Sequence, residues 1–123
     1  MGTTKEKQTG KEVGQVIDIE TIGERSFDIN ELHETITKYG GFKRMSWGYR
    51  KPCIMKRDMV FRFTVSGHHH KGHVYIVLGF MDTFNIYYTS NRGTIKKVKN
   101  DVYIDQLINI LDVDIEKIDS YSS

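Results

Sequence analysis

The sequence predicts an α+β domain, in which an antiparallel meander sheet of four or five strands lies between an N-terminal and a C-terminal helix. Three observations lead to this fold. Apolar and polar residues alternate in three consecutive segments between residues 59 and 89, which is the period of strands with one buried face. Glycine occurs in both links between these segments, as tight reversals require. Apolar residues at helical spacing on both sides of this region predict two helices, which we expect to cover one face of the sheet.

The three central segments define a predicted core face and a predicted open face of the sheet. Consecutive side chains of a strand point to opposite faces, so each segment contributes one row to each face. The apolar row comprises Met59, Phe61, Phe63 and Val65, then Val74, Ile76 and Leu78, then Phe84, Ile86 and Tyr88. The other row, which we expect to be exposed, comprises Arg62, Thr64, His73, Tyr75, Tyr87 and Lys96.

The first helix is predicted to begin after Asp28, whose carboxylate can accept hydrogen bonds from the free backbone amides of the first turn. The pair Gly40-Gly41 follows the last apolar residue of the helical pattern and predicts its end. Before this helix, Ile17 and Ile19 alternate around a polar residue and predict a short edge strand. The apolar spacing of residues 13–17 also fits a helical turn.

A last, more polar strand is predicted over residues 94–99, at an edge that its lysines protect from aggregation. Asn100 or Asp101 then caps the second helix, which is predicted to end near Asp112, while residues 112–118 also fit another helical turn. These elements form one domain over residues 13–119. We expect residues 1–12, which have no apolar residue after Met1, to be a disordered tail, and residues 120–123 to fray.

Composition limits the classes to which the protein can belong. The chain of 123 residues is 38% hydrophobic, which suits one modest core. No apolar run is long enough for a membrane span or a secretory signal, so we expect a soluble intracellular protein with no membrane partner. Cys53 is the only cysteine, which excludes an internal disulfide and a cysteine zinc site and agrees with a reducing compartment.

The net charge of +2 conceals a strong segregation of charge along the chain. Residues 1–40 carry a charge of −3, residues 41–100 carry +10 and residues 101–123 carry −5. Such a pattern arises when a basic surface binds nucleic acid. It also arises when acidic helices pack beside a basic sheet and neutralise it, and composition favours this second interpretation.

The segment from residue 42 to residue 62 interleaves cations with aromatic rings, which is typical of single-stranded nucleic-acid sites because cations bind phosphates and rings stack on bases. The candidate residues are Lys43, Arg44, Trp47, Tyr49, Arg50, Lys51, Lys56, Arg57 and Arg62. The alternative is structural. A short strand from about Met45 to Arg50, ended by Pro52, would bury its aromatic residues and expose its cations.

Four histidines lie within six residues, and neutral imidazole is a common zinc, copper and nickel ligand. The candidate ligands are His68, His70 and His73. Neighbouring side chains of a hairpin alternate between faces and no carboxylate lies nearby in sequence, so we expect a solvated hairpin tip and no metal or other cofactor. No nucleophile motif, paired carboxylates or phosphate-binding loop occurs, so an enzyme is the minority hypothesis.

Several short motifs occur together in a recognisable order. They are Gly40-Gly41-Phe42, the segment 45–48, Phe61-x-Phe63, Gly72-x-Val74-x-Ile76-x-Leu78, Asp82-x-Phe84-x-Ile86 and Val102-Tyr103-x-Asp105-x-Leu107. This order, over residues 30–112, resembles a group of small uncharacterised proteins that bacteriophages and prophages encode. The resemblance implies a phage or mobile-element origin and a place in the cytoplasm of a bacterial host, or in the virion for a structural protein. It implies no activity and no catalytic residue.

Two functions follow as hypotheses. In the first, a small non-enzymatic accessory protein binds a protein partner through the open sheet face or the acidic second helix. In the second, the basic and aromatic region 42–62 binds nucleic acid. The sequence leaves the identity of the partner and the oligomeric state open.

Overall fold

The structure is a computed structural model that describes residues 11–115 except for 24, 68 and 80, with the backbone alone for residues 39–46. The elements in chain order are α1 (Ile19–Ile22), α2 (Ile29–Ser46), β1 (Arg50–Met55), β2 (Val60–Ser66), β3 (Lys71–Leu78), β4 (Phe84–Thr89), β5 (Ile95–Val102), a 3₁₀ turn (Ile104–Gln106) and α3 (Leu107–Ile115). The five strands form one antiparallel meander in the order β1-β2-β3-β4-β5. The predicted α+β fold is confirmed.

The first face of the sheet, which we call the closed face, carries the larger core. Alternation places Phe61, Phe63, Ile76 and Ile86 on this face, where α2 and α3 cover them. From the helices, Ile36 and Leu111 are fully buried in the same cluster. The predicted apolar row and the predicted helix-covered face are therefore one surface, except that Met59 packs against the cluster of the opposite face.

The opposite face, which we call the second face, is partly covered by the chain that precedes α2. A single bridge joins Val16 to Thr94, after which α1 crosses the face and buries Ile22. The cluster beneath it contains Val60, Tyr75, Val77, Tyr87 and Ile95. The expectation of a fully open face is therefore wrong, since Tyr75 and Tyr87 are each only 5% exposed and Thr64 is 4% exposed.

The predicted edge strand around Ile17 and Ile19 is also wrong. Asp18 accepts a hydrogen bond from Glu20 N at 3.1 Å and caps the one-turn helix α1. Ile17 and Ile19 point from this crossing segment into the cluster of the second face. Pairing with the sheet is limited to the isolated bridge at Val16 and its hydrogen bonds to residues 93 and 95.

Helix α2 begins as predicted, with Glu31 N donating to Asp28 Oδ1 at 3.0 Å, but it continues through Gly40-Gly41 to Ser46. A glycine inside a helix costs roughly 1 kcal/mol relative to alanine, which tertiary packing readily exceeds. In α2 the compensating contact is the packing of Trp47, which directly follows the helix and is fully buried. Ser66 N donates to Trp47 O at 2.7 Å and fixes this end of α2 against β2.

The strand predicted from Met45 to Arg50 is displaced along the chain to Arg50–Met55, and Pro52 lies inside it. Strand β1 is at the edge of the sheet, where a residue without a backbone N–H is tolerated. Its pairing with β2 shifts between Arg50 and Cys53, so Pro52 sits in the irregular part of the strand. Cys53 is half-buried, as expected of an edge residue.

The second helix begins later than predicted, because Asn100 and Asp101 continue β5 to Val102, which is buried opposite Phe84. Helix α3 also extends past Asp112 to Ile115, where the backbone N–H groups of His69 and His70 donate to Ile115 O at 2.7 and 3.3 Å. A side chain at Gly67 would collide with Ile115, so this approach of the β2–β3 link to α3 requires glycine.

The tail predicted over residues 1–12 is described only at residues 11 and 12, and the domain predicted over residues 13–119 is described as far as residue 115. The frayed end predicted over residues 120–123 lies outside the described residues. Among the helices that the structure describes, none is both long and apolar enough to cross a membrane.

Candidate functional site

Three cations converge on the part of the second face that α1 leaves uncovered. Arg50 on β1 pairs with Thr64 on β2, which pairs with His73 on β3, so these residues form one row across three strands. Arg62 lies two residues before Thr64 and therefore points to the same face. Lys51 lies in the irregular part of β1 and, like Arg50 and Arg62, contributes positive charge at His73. We call Arg50, Lys51, Arg62 and His73 the basic patch.

The basic patch contains no carboxylate. Within the described parts of the chain, no ion pair links Arg50, Lys51 or Arg62 to an acidic residue. Partial burial, followed by the positive charges of Arg62, Lys51 and Arg50, lowers the pKa of His73 below 6.5. Thr64 Oγ1 lies 3.0 Å from His73 Nδ1 and holds the ring in place. The patch is a concentration of positive charge that no carboxylate among the described residues neutralises.

The other residues of the predicted nucleic-acid site lie elsewhere. Trp47 is fully buried on the closed face, where its Nε1 donates to Asp112 Oδ1 at 3.0 Å. Tyr49 packs against Phe63 with ring centroids 4.7 Å apart. Neither ring is therefore presented beside the basic patch, and the aromatic residues are buried as the structural alternative expected.

The remaining cations of that prediction are divided between the far end of the sheet and undescribed side chains. Lys56 Nζ donates to the carbonyl oxygens of Glu20 and Gly23 at 2.7 and 3.2 Å, and so anchors α1. Arg57 is exposed in the turn between β1 and β2. The side chains of Lys43 and Arg44 lie outside the described part.

The histidines of the β2–β3 link do not converge. The His70 ring packs edge-on against Tyr88 on the closed face at 5.3 Å, whereas His73 lies on the second face. Among the described residues no group of three or more potential metal ligands occurs, and His68 lies outside them. The described role of the link is structural, since its backbone amides cap α3.

A cleft of about 420 Å³ lies beside the first turns of α2, at the end of the sheet opposite to the basic patch; we call it the α2 cleft. Three carboxylate residues, Asp28, Glu31 and Asp82, line it together with a larger set of apolar residues and one threonine. These other lining residues are Phe27, Leu32, Thr35, Leu78, Phe84 and Ile104. Arg25 Nη1 bonds to Asp82 Oδ1 at 2.6 Å and tethers the turn between β3 and β4 that forms one wall.

The mouth of the α2 cleft exposes large apolar side chains. Ile104 lines the cleft and is 47% exposed. Its chain neighbour Tyr103 is 59% exposed, and Met81, the neighbour of the lining residue Asp82, is 80% exposed. Exposed methionine and tyrosine beside an apolar concavity are characteristic of protein-binding surfaces.

A smaller groove of about 190 Å³ lies on the other side of α2 and is lined by Ile29, Asn30, His33, Pro52, Cys53, Ile54 and Phe61. Ile54 is 47% exposed. The N-terminal half of α2 is thus a ridge between two apolar depressions. Sequence analysis missed both, because their walls come from segments far apart in the chain. The one local signal was the apolar pair Phe80-Met81 in the short link between β3 and β4.

The acidic end of the chain neutralises part of the basic sheet. Asp114 on α3 is 4% exposed, and its Oδ1 lies 3.2 Å from Lys97 Nζ and 3.4 Å from Lys99 Nζ on β5. Burial, and then the negative charge of Asp114, raise the pKa of Tyr88 far above 10, so this hydroxyl stays protonated. Asp114 lies three residues after Leu111 and so continues the buried stripe of α3, which is the sequence signal for its burial.

Comparison of the chain with family models, with curated proteins and with solved structures found no match. The resemblance to phage and prophage proteins therefore stays a prediction.

Proposed function

We propose that this protein is a small non-enzymatic accessory protein, of phage or mobile-element type, that binds a protein partner through the α2 cleft. The observation that supports the proposal most directly is the exposure of Ile104, which lines an apolar concavity, together with the exposure of Met81 and Tyr103, which are chain neighbours of lining residues. A fold of this size gains nothing from exposing such side chains, whereas a partner would bury them. The proposed contact differs from both surfaces that the sequence suggested.

The acidic lining defines the chemistry of the partner. Asp28, Glu31 and Asp82 bring negative charge to the walls of the α2 cleft, where Asp82 also forms an ion pair with Arg25. A partner segment that carries apolar side chains flanked by Lys or Arg would match both the floor and the rim. Complementary charge of this kind raises the association rate and excludes acidic competitors.

Affinity purification of tagged variants from a bacterial host tests the proposal. Met81→Ser combined with Ile104→Ser should abolish the recovery of the partner that the wild type retains. Val113→Ser is the matched control, because Val113 is 51% exposed on α3 and does not line the α2 cleft. The recovered partner, once purified, should rebind the wild type and the control and not the double variant. Equal binding to all three proteins would refute the α2 cleft as the contact.

A second candidate function is the binding of nucleic acid by the basic patch. Its support is the convergence of Arg50, Lys51 and Arg62 on one surface without a carboxylate among the described residues. Because Trp47 and Tyr49 lie on the closed face, contacts to the phosphate backbone would dominate and base stacking would contribute little.

Salt dependence tests this second function. Each cation that binds a phosphate releases counterions, so Arg50→Gln combined with Lys51→Gln should lower oligonucleotide affinity and reduce the slope of log K against log salt by about two. Arg57→Gln with Lys96→Gln removes the same charge from exposed positions outside the patch and should leave the affinity nearly unchanged. Equal losses in both double variants would indicate a general charge effect and argue against the patch.

A further inference from the structure

We propose that Arg62, together with Arg50 and Lys51, forms a binding site for one phosphate group on the second face, beside His73. This inference deepens the second candidate function, nucleic-acid binding, and is independent of the α2 cleft. Arg62 has an unpartnered hydrogen-bond donor. Its Nε is buried, yet no described residue supplies it with a hydrogen-bond partner.

The strand neighbours of Arg62 that the structure describes are positive or neutral. Directly opposite Arg62 lie Cys53 on β1 and Tyr75 on β3, and neither can neutralise a guanidinium group. The diagonal neighbours are Arg50 and His73, at the cross-strand distance of about 7 to 8 Å that long side chains span. The guanidinium groups of Arg50 and Arg62 can therefore reach the same small ligand.

An anion bound beside Arg62 would supply the missing hydrogen-bond acceptor and would also compensate the positive charge. With a rotation of the half-buried Arg62 side chain that uncovers Nε, the anion would accept the hydrogen bond that Nε lacks, and it would offset the repulsion among three cations in a partly desolvated place. Arg50 and His73 already have hydrogen-bond partners. Arg50 Nη1 donates to Gly48 O at 3.0 Å, and His73 is held by Thr64 and by a hydrogen bond to the backbone of Asn91. Arg62 is the member with a buried donor left over.

Phosphate fits this arrangement better than a carboxylate does. The guanidinium fork donates two parallel hydrogen bonds to a tetrahedral oxyanion, and a phosphate group has enough oxygens and enough charge for two arginines and a lysine. A carboxylate has two oxygens and one charge. The ligand class is thus a phosphate group, either free, as in a mononucleotide, or within a nucleic-acid backbone.

The His73 ring is a built-in reporter of this site, because the pKa of His73 responds to the charge of Arg62, Lys51 and Arg50. We would follow the His73 ring and the Arg62 Nε–H signal by NMR while adding inorganic phosphate, adenosine monophosphate, a short deoxythymidine oligonucleotide, or acetate at matched ionic strength. Saturable shifts with a phosphate compound and weaker, non-saturating shifts with acetate are expected. Arg62→Lys, which keeps the charge and loses the fork, should weaken binding about tenfold. Arg57→Lys is the matched control and should bind as the wild type does.

Every result of these titrations either supports or refutes the phosphate site at Arg62. Saturation by phosphate and the mononucleotide assigns a site for free phosphate compounds, and saturation by the oligonucleotide alone assigns the phosphate to nucleic acid. Equal shifts with acetate, or no shift with any phosphate compound, overturn the proposal. If the oligonucleotide binds while the His73 and Arg62 signals stay fixed, nucleic-acid binding stands and the phosphate site at Arg62 is refuted. The wild-type titration gives this answer even when Arg62→Lys fails to fold.

Discussion

Two groups of cations on opposite faces of the same sheet differ in whether a carboxylate lies beside them. On the closed face, Lys97 and Lys99 surround the buried carboxylate of Asp114. On the second face, Arg50, Lys51 and Arg62 have no carboxylate among the described residues. The excess positive charge of residues 41–100 is thus divided between cations that stabilise the fold and cations that remain available for a ligand. Alternation along the strands creates both groups, and the position of the helices separates them.

The largest difference between the two faces should appear in stability. Ile76 is fully buried on the closed face, so Ile76→Ala should lower the free energy of unfolding by about 2 to 5 kcal/mol. Lys96→Ala, at an exposed position of β5, should change it by less than about 0.5 kcal/mol. Denaturant midpoints measure both variants. A midpoint for Ile76→Ala equal to that of the wild type would contradict the assigned phase of β3.

The closed-face cations provide the next largest effect. Asp114→Asn removes the charge that Lys97 and Lys99 share and should cost about 1 to 3 kcal/mol, a range that allows for the exposure of both lysines. Asp105→Asn, at an exposed position of the 3₁₀ turn, is the control and should be nearly neutral. Denaturant midpoints at low and high salt would separate the charge contribution. Equal midpoints for the two variants would mean that Asp114 does not hold α3 against β5.

Substitution of Trp47 tests whether the closed face serves stability without taking part in oligonucleotide binding. Trp47→Phe deletes the hydrogen bond to Asp112 and part of a buried side chain, so it should cost about 1 to 3 kcal/mol. The same variant should leave oligonucleotide affinity unchanged, because the indole lies on the closed face. Fluorescence anisotropy with a labelled oligonucleotide measures this second quantity. A loss of affinity in the folded variant would place the binding surface on the closed face and contradict the basic patch.

Local periodicity predicted the parts of the fold that depend on neighbouring residues. Alternation along β2 and β3 is sufficient to place Arg62 and His73 on the same face of the sheet. Asp28 marked the start of α2 for a similar reason, since a helix cap is a contact between near neighbours. The sheet order followed from the short glycine-containing links.

The remaining parts depend on contacts between distant segments. The end of α2 is set by the burial of Trp47 against α3 and β2, which outweighs the cost of Gly40-Gly41. Arg50 joins the basic patch only through the shifted pairing around Pro52, which alternation alone does not specify. The α2 cleft gathers Asp28, Asp82 and Ile104 from three segments. No local pattern contains that information.

Substitution of Arg62 should change the free energy of unfolding in the direction opposite to that of the substitutions above. If Arg62 serves a ligand and not the fold, Arg62→Met should leave the free energy of unfolding unchanged or raise it by up to about 1 kcal/mol, because it removes a buried unpaired donor and relieves repulsion. The same variant should lose phosphate binding. Thermal or denaturant unfolding without phosphate measures the first effect. A clear destabilisation would show that Arg62 has a structural partner.

The smallest expected effect is a pH dependence to which both faces contribute. Burial lowers the pKa of His70 on the closed face, with further lowering by Lys97 and Lys96, and burial followed by Arg62 lowers the pKa of His73 on the second face. The unfolded chain then takes up protons near pH 6.5 that the folded protein binds only at lower pH. Stability should therefore be complete above about pH 6.5 and decrease as the pH falls below it, before the carboxylates titrate.

The two histidines can be separated by the choice of buffer anion. A phosphate group bound at the basic patch offsets the positive charge around His73 and favours its protonated form, so phosphate should reduce the loss of stability on acidification. His70 lies on the other face and should not respond. Denaturant midpoints between about pH 7.5 and 5.5, in phosphate and in chloride at equal ionic strength, should show this difference for the wild type and for His70→Gln. His73→Gln should abolish the part of this difference that changes with pH, while phosphate bound by Arg62, Arg50 and Lys51 can still stabilise the variant equally at every pH. A buffer difference that still grows on acidification in His73→Gln would mean that another group senses the anion, and would remove the contrast between the two faces.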